Sequence, residues 1–376
     1  MEHEHRITPL ELFFDLVFVF AFTQVTQVLS ADTTWTGMGH ALLILAALWW
    51  TWASYAWLTN TVDAGEDVVL AAVLVAMGAM FVGALAVPEA CGRPGVIFGV
   101  AFLFGVVMHL ALDALSARAE PELFAAILRI APWGLLGATL ILVAGFVDDP
   151  AKSLIWIAAL AVGFLGPWFG SLEGWHLSPA HFIERHGLIV IIAIGESLIA
   201  IGVGARGTDL GTEVVVAALL GFVVATSFWL AYFDFFPIRA QRLLTERRGA
   251  DRIALARDAY SYLHLPMVAG IVLFAFAVKV ALAHVGDDLD TIPAFALGVG
   301  PALYLLAFIL LRLRISRTLG RGRLVAAIAC MAVFPFALGV PALVALALVA
   351  AVWIALHVYE LVWWRETRAE ARALRG

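Results

Sequence analysis

Long apolar segments separated by short polar stretches dominate this sequence. About 20 apolar residues are needed for a helix to cross the hydrocarbon core of a bilayer, and each segment has roughly this length. Runs this long indicate membrane-spanning helices rather than strands. The pattern predicts twelve spans, at residues 9–29, 38–60, 67–88, 95–115, 123–147, 152–170, 182–204, 213–235, 258–283, 292–311, 323–339 and 342–364.

The last two spans are separated because of their combined length. The stretch from Arg323 to Trp364 is too long for one span, and Gly339-Val340-Pro341 interrupts it. Proline lacks a backbone N–H and cannot continue a helix without losing a hydrogen bond. These residues therefore predict a tight hairpin between two helices.

The composition excludes an ordinary soluble protein. Of the 376 residues, 63% are hydrophobic and 14% are charged, and the mean hydropathy is +0.97, whereas about 25% of residues are charged in a typical soluble domain. We therefore expect an all-α integral membrane protein. The short N-terminal segment of mixed charge does not resemble a cleavable signal peptide. The two cysteines, Cys91 and Cys330, do not support a disulfide framework.

Basic residues are distributed unevenly between the two sides that twelve spans define. Arginines crowd the side shared by both termini, in residues 239–257, 312–323 and 365–375. The opposite side holds Arg93, Lys152 and Arg206. Because basic loops face the cytoplasm, we expect both termini to be cytoplasmic.

The chain also predicts an internal repeat. The segment from Glu11 to Gln24 aligns without a gap with the segment from Glu184 to Ser197, and an aromatic-rich span follows each. Six spans in each half give both halves the same orientation, which is a parallel repeat. We therefore expect two parallel six-helix halves, at residues 1–170 and 171–376.

Two motifs carry a resemblance to a known family. The segment from Pro9 to Gln24 and the segment from Glu184 to Ser197, together with residues 52–60, resemble the bacterial low-temperature-requirement protein A family. The resemblance implies a polytopic protein of the bacterial inner membrane, in a family named from a cold-growth phenotype. It implies no substrate, so the chemistry rests on the residues themselves.

Several ionisable residues interrupt the apolar spans. Glu196 lies near the middle of the seventh span, where a carboxylate costs about 2.5–3.5 kcal/mol by insertion scales. Glu11 and Asp15 are four residues apart and share one face of the first helix, and His109 and Asp113 have the same spacing in the fourth. Acids near a helix start are also favoured by the helix dipole, which is a structural explanation for Glu11.

Arg185 must find a partner outside its own helix. It lies eleven residues from Glu196, or about 16 Å along the helix axis, which is too far for an ion pair. If the halves are related by symmetry, the first and seventh helices face each other, and the acids of the first can pair with Arg185 and its neighbour. We predict one interior polar site lined by Glu11, Asp15, Arg185, His186 and Glu196, with His109 and Glu184 as further binding candidates.

The aromatic residues of the second span have two interpretations. Tryptophan and tyrosine form belts at membrane interfaces, and aromatic rings can instead line a cavity for an apolar or cationic ligand. Trp52 and Tyr55 are candidates for the second role.

Nothing in the sequence predicts a cofactor, a metal or nucleic acid. A phosphate-binding loop and a dinucleotide glycine motif are both missing, and His357-x-x-Glu360 is a single metal-like spacing on one helix. The basic segment 239–257 is interpreted as fixing topology, with binding of anionic lipid headgroups as the alternative. We expect the lipid bilayer and an unidentified small-molecule or lipid ligand as partners, and the oligomeric state stays open.

The sequence favours a membrane transporter, coupled to protons, with an interior polar site between its halves. A carboxyl group that can be neutralised beside histidines is what proton coupling requires. One alternative is a membrane-embedded enzyme that uses Asp and Glu as general acid and base on a lipid or isoprenoid. The other is a channel or a structural protein whose polar core serves packing.

Overall fold

Helices make up the whole regular structure of the described part of the chain. The computed structural model describes residues 7–61, 67–91, 95–234 and 236–363. Of the basic positions used to predict the topology, Arg93 and residues 365–375 lie outside these ranges. Within them there is no β-strand, only an isolated bridge between Asp288 and Pro341. The helices are α1 Pro9–Ala31, α2 Trp35–Thr61, α3 Asp67–Leu85, α4 Val96–Ser116, α5 Pro121–Ala144, α6 Ala151–Phe169, α7 Pro179–Gly204, α8 Thr212–Phe233, α9 Phe236–Glu246, α10 Gly249–Ala256, α11 His264–Ala283, α12 Thr291–Ser316, α13 Arg321–Ala337 and α14 Ala342–Trp363.

Eleven segments of the described residues are long and apolar enough to cross a membrane. The predicted span missing from these eleven is the eleventh in chain order, 323–339, which corresponds to α13. The 17 residues of α13 reach about 25 Å, short of the roughly 30 Å hydrocarbon core. Large apolar side chains along the helices are exposed, for example Leu74, Val75 and Phe81 on α3, and such a surface requires a bilayer. The prediction of an all-α membrane protein is therefore confirmed, and the count of twelve spans stays a prediction.

The hairpin predicted near residue 340 is present. Helix α13 ends at Ala337 and α14 begins at Ala342. The first N–H groups of α14 have no partner inside the helix, and the loop after α11 supplies two acceptors. Ala342 N donates to Asp287 O (2.8 Å) and Leu343 N donates to Val285 O (3.1 Å).

The chain divides into two compact units. The first contains Met1–Asp32, Thr36–Ile189 and Leu244–Arg257. Consecutive helices from α3 to α6 pack against one another, and α1 packs against α3. Close approach of α4 to α5 requires glycine, since a Cβ at Gly99 would lie 2.6 Å from Leu142 Cα.

The second unit contains Thr33–Trp35, Val190–Leu243 and Asp258–Gly376. Its centre is the pair α11 and α12, which approach so closely that a Cβ at Gly270 would lie 2.5 Å from Gly300 O. Small residues permit such helix contacts in membranes. A π-helical turn, Arg257–Tyr262, precedes α11. The proposed division into six-helix halves at residue 170 stays a prediction.

Candidate functional site

The start of α1 holds two buried acids of the first unit. Thr8 caps the helix: its side chain accepts from Glu11 N–H, and Glu11 Oε2 accepts from Thr8 N–H at 2.9 Å. This capping box fixes the first turn. Glu11 and Asp15 follow one turn apart, and each is only 2% exposed.

Arg185 of α7 joins both acids of α1. Its side chain is fully buried, and Nη1 donates to Asp15 Oδ2 (3.1 Å) and to the Glu11 backbone oxygen (2.9 Å). Its Nε lies 3.7 Å from Glu11 Oε1, which is too far for a hydrogen bond. Arg185 of α7 and the two acids of α1 therefore belong to one polar group.

Trp52 of α2 completes the surroundings of Asp15. The indole Nε1–H donates to Asp15 Oδ1 at 2.9 Å, so both carboxylate oxygens have a donor. The guanidinium carbon of Arg185 lies 5.8 Å from the Trp52 ring centroid, which is within cation–π range. Trp52, which the sequence placed either in an interfacial belt or against a ligand, is a hydrogen-bond donor to a buried acid.

His181 belongs to this group and was missed by the sequence reasoning. Its Nε2 lies 3.0 Å from Glu11 Oε1 and 3.2 Å from Oε2. The Asn60 amide lies 3.1 Å from His181 Nδ1, and Asn60 Oδ1 accepts from Ser178 N–H at 2.8 Å. With the amide oriented in this way, Nδ1 is an acceptor and Nε2 carries the proton that points to Glu11. The usable signal was the spacing of His181 and Arg185, which puts both on one helix face.

We call Glu11, Asp15, Trp52, His181 and Arg185 the α1–α7 ion cluster. Two carboxylates face a single guanidinium, and the Nε2–H of His181 is directed at Glu11. The two carboxylates and Arg185 by themselves therefore carry one excess negative charge when both acids are ionised. In a low-dielectric interior such a charge is costly, so the cluster is suited to bind a proton or another cation.

His186 occupies a different place from the predicted one. Its Nδ1 donates to Phe182 O at 2.8 Å, and its ring contacts Trp52 edge-on with centroids 4.9 Å apart. The histidine that contacts Glu11 is His181, because it lies one turn before Arg185 on the same face, whereas His186 is rotated by about 100°. His186 thus contacts the cluster through the ring of Trp52.

Tyr55 and His109 form a neighbouring polar group. Tyr55 O–H donates to Gly105 O (2.9 Å), and its ring centroid lies 5.3 Å from that of His109. His109 Nε2 donates to Ser54 O at 3.0 Å and lies 3.3 Å from Asp113. Tyr55 also contacts the Phe14 ring at 5.0 Å, so this group adjoins α1 beside the ion cluster.

Two further candidates lie elsewhere. Glu184 is exposed on α7. Glu196 belongs to the second unit, is 2% exposed and interacts electrostatically with Lys279 of α11. A Cβ at Gly204 would lie 2.4 Å from Lys279 O, so α7 and α11 are in close contact there. The prediction that Glu196 shares one site with the acids of α1 stays a prediction.

The metal-like spacing at the end of α14 has another explanation. Glu360 Oε1 accepts from Arg323 Nε at 2.7 Å. Among the described residues, no group of three or more His, Cys, Asp and Glu is arranged to hold a metal ion.

Comparisons with known proteins identify a matching family and a curated relative. A family model described as bacterial low temperature requirement A protein matches residues 6–358. An uncharacterized protein of Rhizobium meliloti is 32% identical over 286 residues, which cover 73% of this chain and 69% of the relative. No solved structure matches the chain at a significant level.

Proposed function

Because this chain belongs to the bacterial low temperature requirement A family of membrane proteins, we propose that it is a transporter that couples solute movement to protons through the α1–α7 ion cluster. The observation that carries the proposal is the buried charge imbalance, two carboxylates against one guanidinium. Ionisable residues inside membrane spans commonly mark ion or substrate pathways.

The hydrogen bonds indicate where an extra proton would bind. His181 uses both ring nitrogens, because Nε2 faces Glu11 and Nδ1 faces the Asn60 amide. A proton on Nδ1 would require that amide to turn and to give up its bond from Ser178 N–H. In this proposal the proton acceptor is therefore the carboxyl group of Asp15, which Arg185 and Trp52 contact.

Proton binding would weaken the connection between α1 and α7. The bond from Arg185 to Asp15 is charge-assisted, and such bonds contribute about 1.5–3 kcal/mol each. Loss of this contribution shifts an equilibrium between two conformations by roughly tenfold or more. A proton could thus favour a conformation in which α7 separates from α1, which is the step that couples proton binding to solute access.

Currents after a pH step test the proposal without knowledge of the solute. Purified protein in liposomes is adsorbed on a supported membrane, and a pH step is applied. We expect a transient current for the natural protein, a strongly reduced current for Asp15→Asn, and no change for Glu122→Gln, an exposed acid at the start of α5.

Proton binding by the cluster would be contradicted if the natural protein gave the same current as empty liposomes. It would also be contradicted if Asp15→Asn gave the same current as the natural protein. A second assay separates transport from catalysis. Solutes that change the pH of the vesicle lumen only when the natural protein is present identify transport. Conversion of an added lipid in detergent, lost in Asp15→Asn, would instead favour the enzyme alternative.

A further inference from the structure

Three arginines of the second unit, each near the end of a helix, interact electrostatically. Arg239 is exposed on α9, Arg312 lies near the end of α12, and Arg323 lies in the first turn of α13. We call them the arginine cluster. Arg239 and Arg323 repel Arg312 electrostatically, and Glu360 of α14 offsets part of this repulsion. Three positive charges and one negative charge leave an excess of two.

Arg323 is held rigidly in this group. Its Nε donates to Glu360 Oε1 at 2.7 Å, its Nη2 lies 3.4 Å from Oε2, and its guanidinium carbon lies 4.0 Å from the Phe308 ring centroid. Both oxygens of Glu360 therefore face Arg323. The Nη1 of Arg323 is buried and has no hydrogen-bond acceptor. The local acid thus leaves a buried donor of the cluster unsatisfied, which costs about 1–3 kcal/mol.

Arg312 is placed where a cation is unfavourable. Its Nε donates to Thr318 Oγ1 at 2.9 Å, and its Nη1 would lie 3.3 Å from a Cβ at Gly320, the N-cap of α13. The N-terminus of a helix carries a partial positive charge. Repulsion from this terminus adds to repulsion from the other two arginines, and an anion would relieve both.

Helix α9 places the cluster at a surface that suits lipid headgroups. Phe236 and Ala240 are buried, and Phe236 contacts Phe308 with ring centroids 5.4 Å apart, while Arg239 and Arg242 are exposed. Short helices with one apolar face and a basic polar face lie at membrane interfaces, where they attract anionic lipids. The cluster also lies at the ends of the candidate spans α12 and α14, and the ends of a spanning helix face the headgroups.

We propose that the arginine cluster binds the phosphate group of an anionic phospholipid. Guanidinium groups donate in a planar fork that matches phosphate oxygens, and one phosphate can accept from Arg239, Arg312 and the unsatisfied Nη1 of Arg323. This site goes beyond the proposed transport function and does not depend on it, since the cluster and the α1–α7 ion cluster share no residue.

Lipid titration of the purified, delipidated full-length protein tests this site. Phosphatidylglycerol, phosphatidylcholine and inorganic phosphate are added separately, and binding is followed by native mass spectrometry for the lipids and by calorimetry for phosphate. We expect saturable binding of phosphatidylglycerol, weaker binding of phosphatidylcholine, and a loss of roughly fivefold in affinity for each arginine removed.

Two substitutions on the same helix provide the matched comparison. Arg239→Gln and Arg242→Gln remove the same charge from exposed positions of α9, so neither disturbs the core. The site predicts a loss for Arg239→Gln and for Arg312→Gln, and little change for Arg242→Gln. Equal losses for Arg239→Gln and Arg242→Gln would mean diffuse electrostatic attraction and would overturn the proposal, as would equal binding of the two lipids. Arginine-dependent binding of inorganic phosphate without binding of phosphatidylglycerol would reject the lipid as the source of the phosphate.

Discussion

Replacement of Arg185 by glutamine removes the single guanidinium of the α1–α7 ion cluster. The side chain is fully buried and makes two hydrogen bonds to α1, at 2.9 and 3.1 Å. Glutamine retains polarity and part of the length but supplies no charge. Two carboxylates then stay buried without a cation, and loss of one partner from a buried ion pair costs about 3–5 kcal/mol.

The charge balance predicts a smaller loss of stability for substitution of the matching acid. Asp15→Asn leaves Glu11 against Arg185, which is a neutral pair, and the amide oxygen still accepts from Trp52 Nε1. We expect this variant to cost no more than about 1–2 kcal/mol. Asp15→Asn should also restore part of the stability lost in Arg185→Gln, with a coupling of at least about 1 kcal/mol.

Thermal unfolding in detergent, monitored by tryptophan fluorescence, measures the relative stabilities of these variants. At about 2 °C per kcal/mol for a chain of this size, Arg185→Gln should lower the midpoint by roughly 6–10 °C and Asp15→Asn by no more than about 4 °C. The exposed Arg206→Gln controls for loss of positive charge. The reasoning is wrong if Asp15→Asn destabilises as much as Arg185→Gln, or if the double variant is no more stable than Arg185→Gln.

Three further outcomes follow from the structure. Trp52→Phe keeps an aromatic ring but removes the hydrogen-bond donor to the buried Asp15, so it should lower the free energy of unfolding by about 1–3 kcal/mol in the same assay. Trp229→Phe, at an exposed ring, should leave the unfolding midpoint unchanged. Gly300→Val should separate α11 from α12, since its Cβ would lie 2.8 Å from a backbone oxygen, and should reduce the yield of monodisperse protein on size exclusion. The control Gly202→Ala, with nothing within 4 Å of the added carbon, should not reduce the yield. Equal yields from the two variants would show that the close approach of the helices is not required. Burial raises the pKa of the Cys91 thiol, in the loop before α4, to about 12. Maleimide labelling of this residue should therefore be slow at neutral pH and accelerate as the pH rises toward that value. Fast labelling at neutral pH would contradict the burial of the thiol.

The membrane spans could be predicted because the length and hydropathy of a segment are sufficient to identify them. A backbone in lipid must satisfy its own hydrogen bonds, so an apolar run of sufficient length becomes a helix whatever its neighbours are. The break at Gly339-Val340-Pro341 was equally local, since α13 ends at Ala337 and Pro341 directly precedes α14. The limit of this signal is α13, where a 17-residue helix does not decide by length alone whether it crosses the bilayer.

The partners of the polar residues were only partly predictable. Spacing showed that Glu11 and Asp15 share a face and that Arg185 needs a partner on another helix. The spacing of His181 and Arg185 puts both on one face of α7, but the prediction chose His186, the sequence neighbour of Arg185, and only the structure shows that this face points toward Glu11. Trp52 could be assigned to a belt or to a ligand from its type, and only the packing of α2 brings its N–H to Asp15 at 2.9 Å.

The sequence by itself determined that this protein is a bundle of apolar helices in a membrane and that a few acids and one arginine in it need compensation. The tertiary structure decided how the charges are grouped: Glu11, Asp15, His181 and Arg185 in one unit, and Glu196 with Lys279 in the other. The physical reason is that hydropathy acts on each segment separately, whereas hydrogen bonds and ion pairs in a low-dielectric interior depend on distances of a few ångströms between helices far apart in the chain.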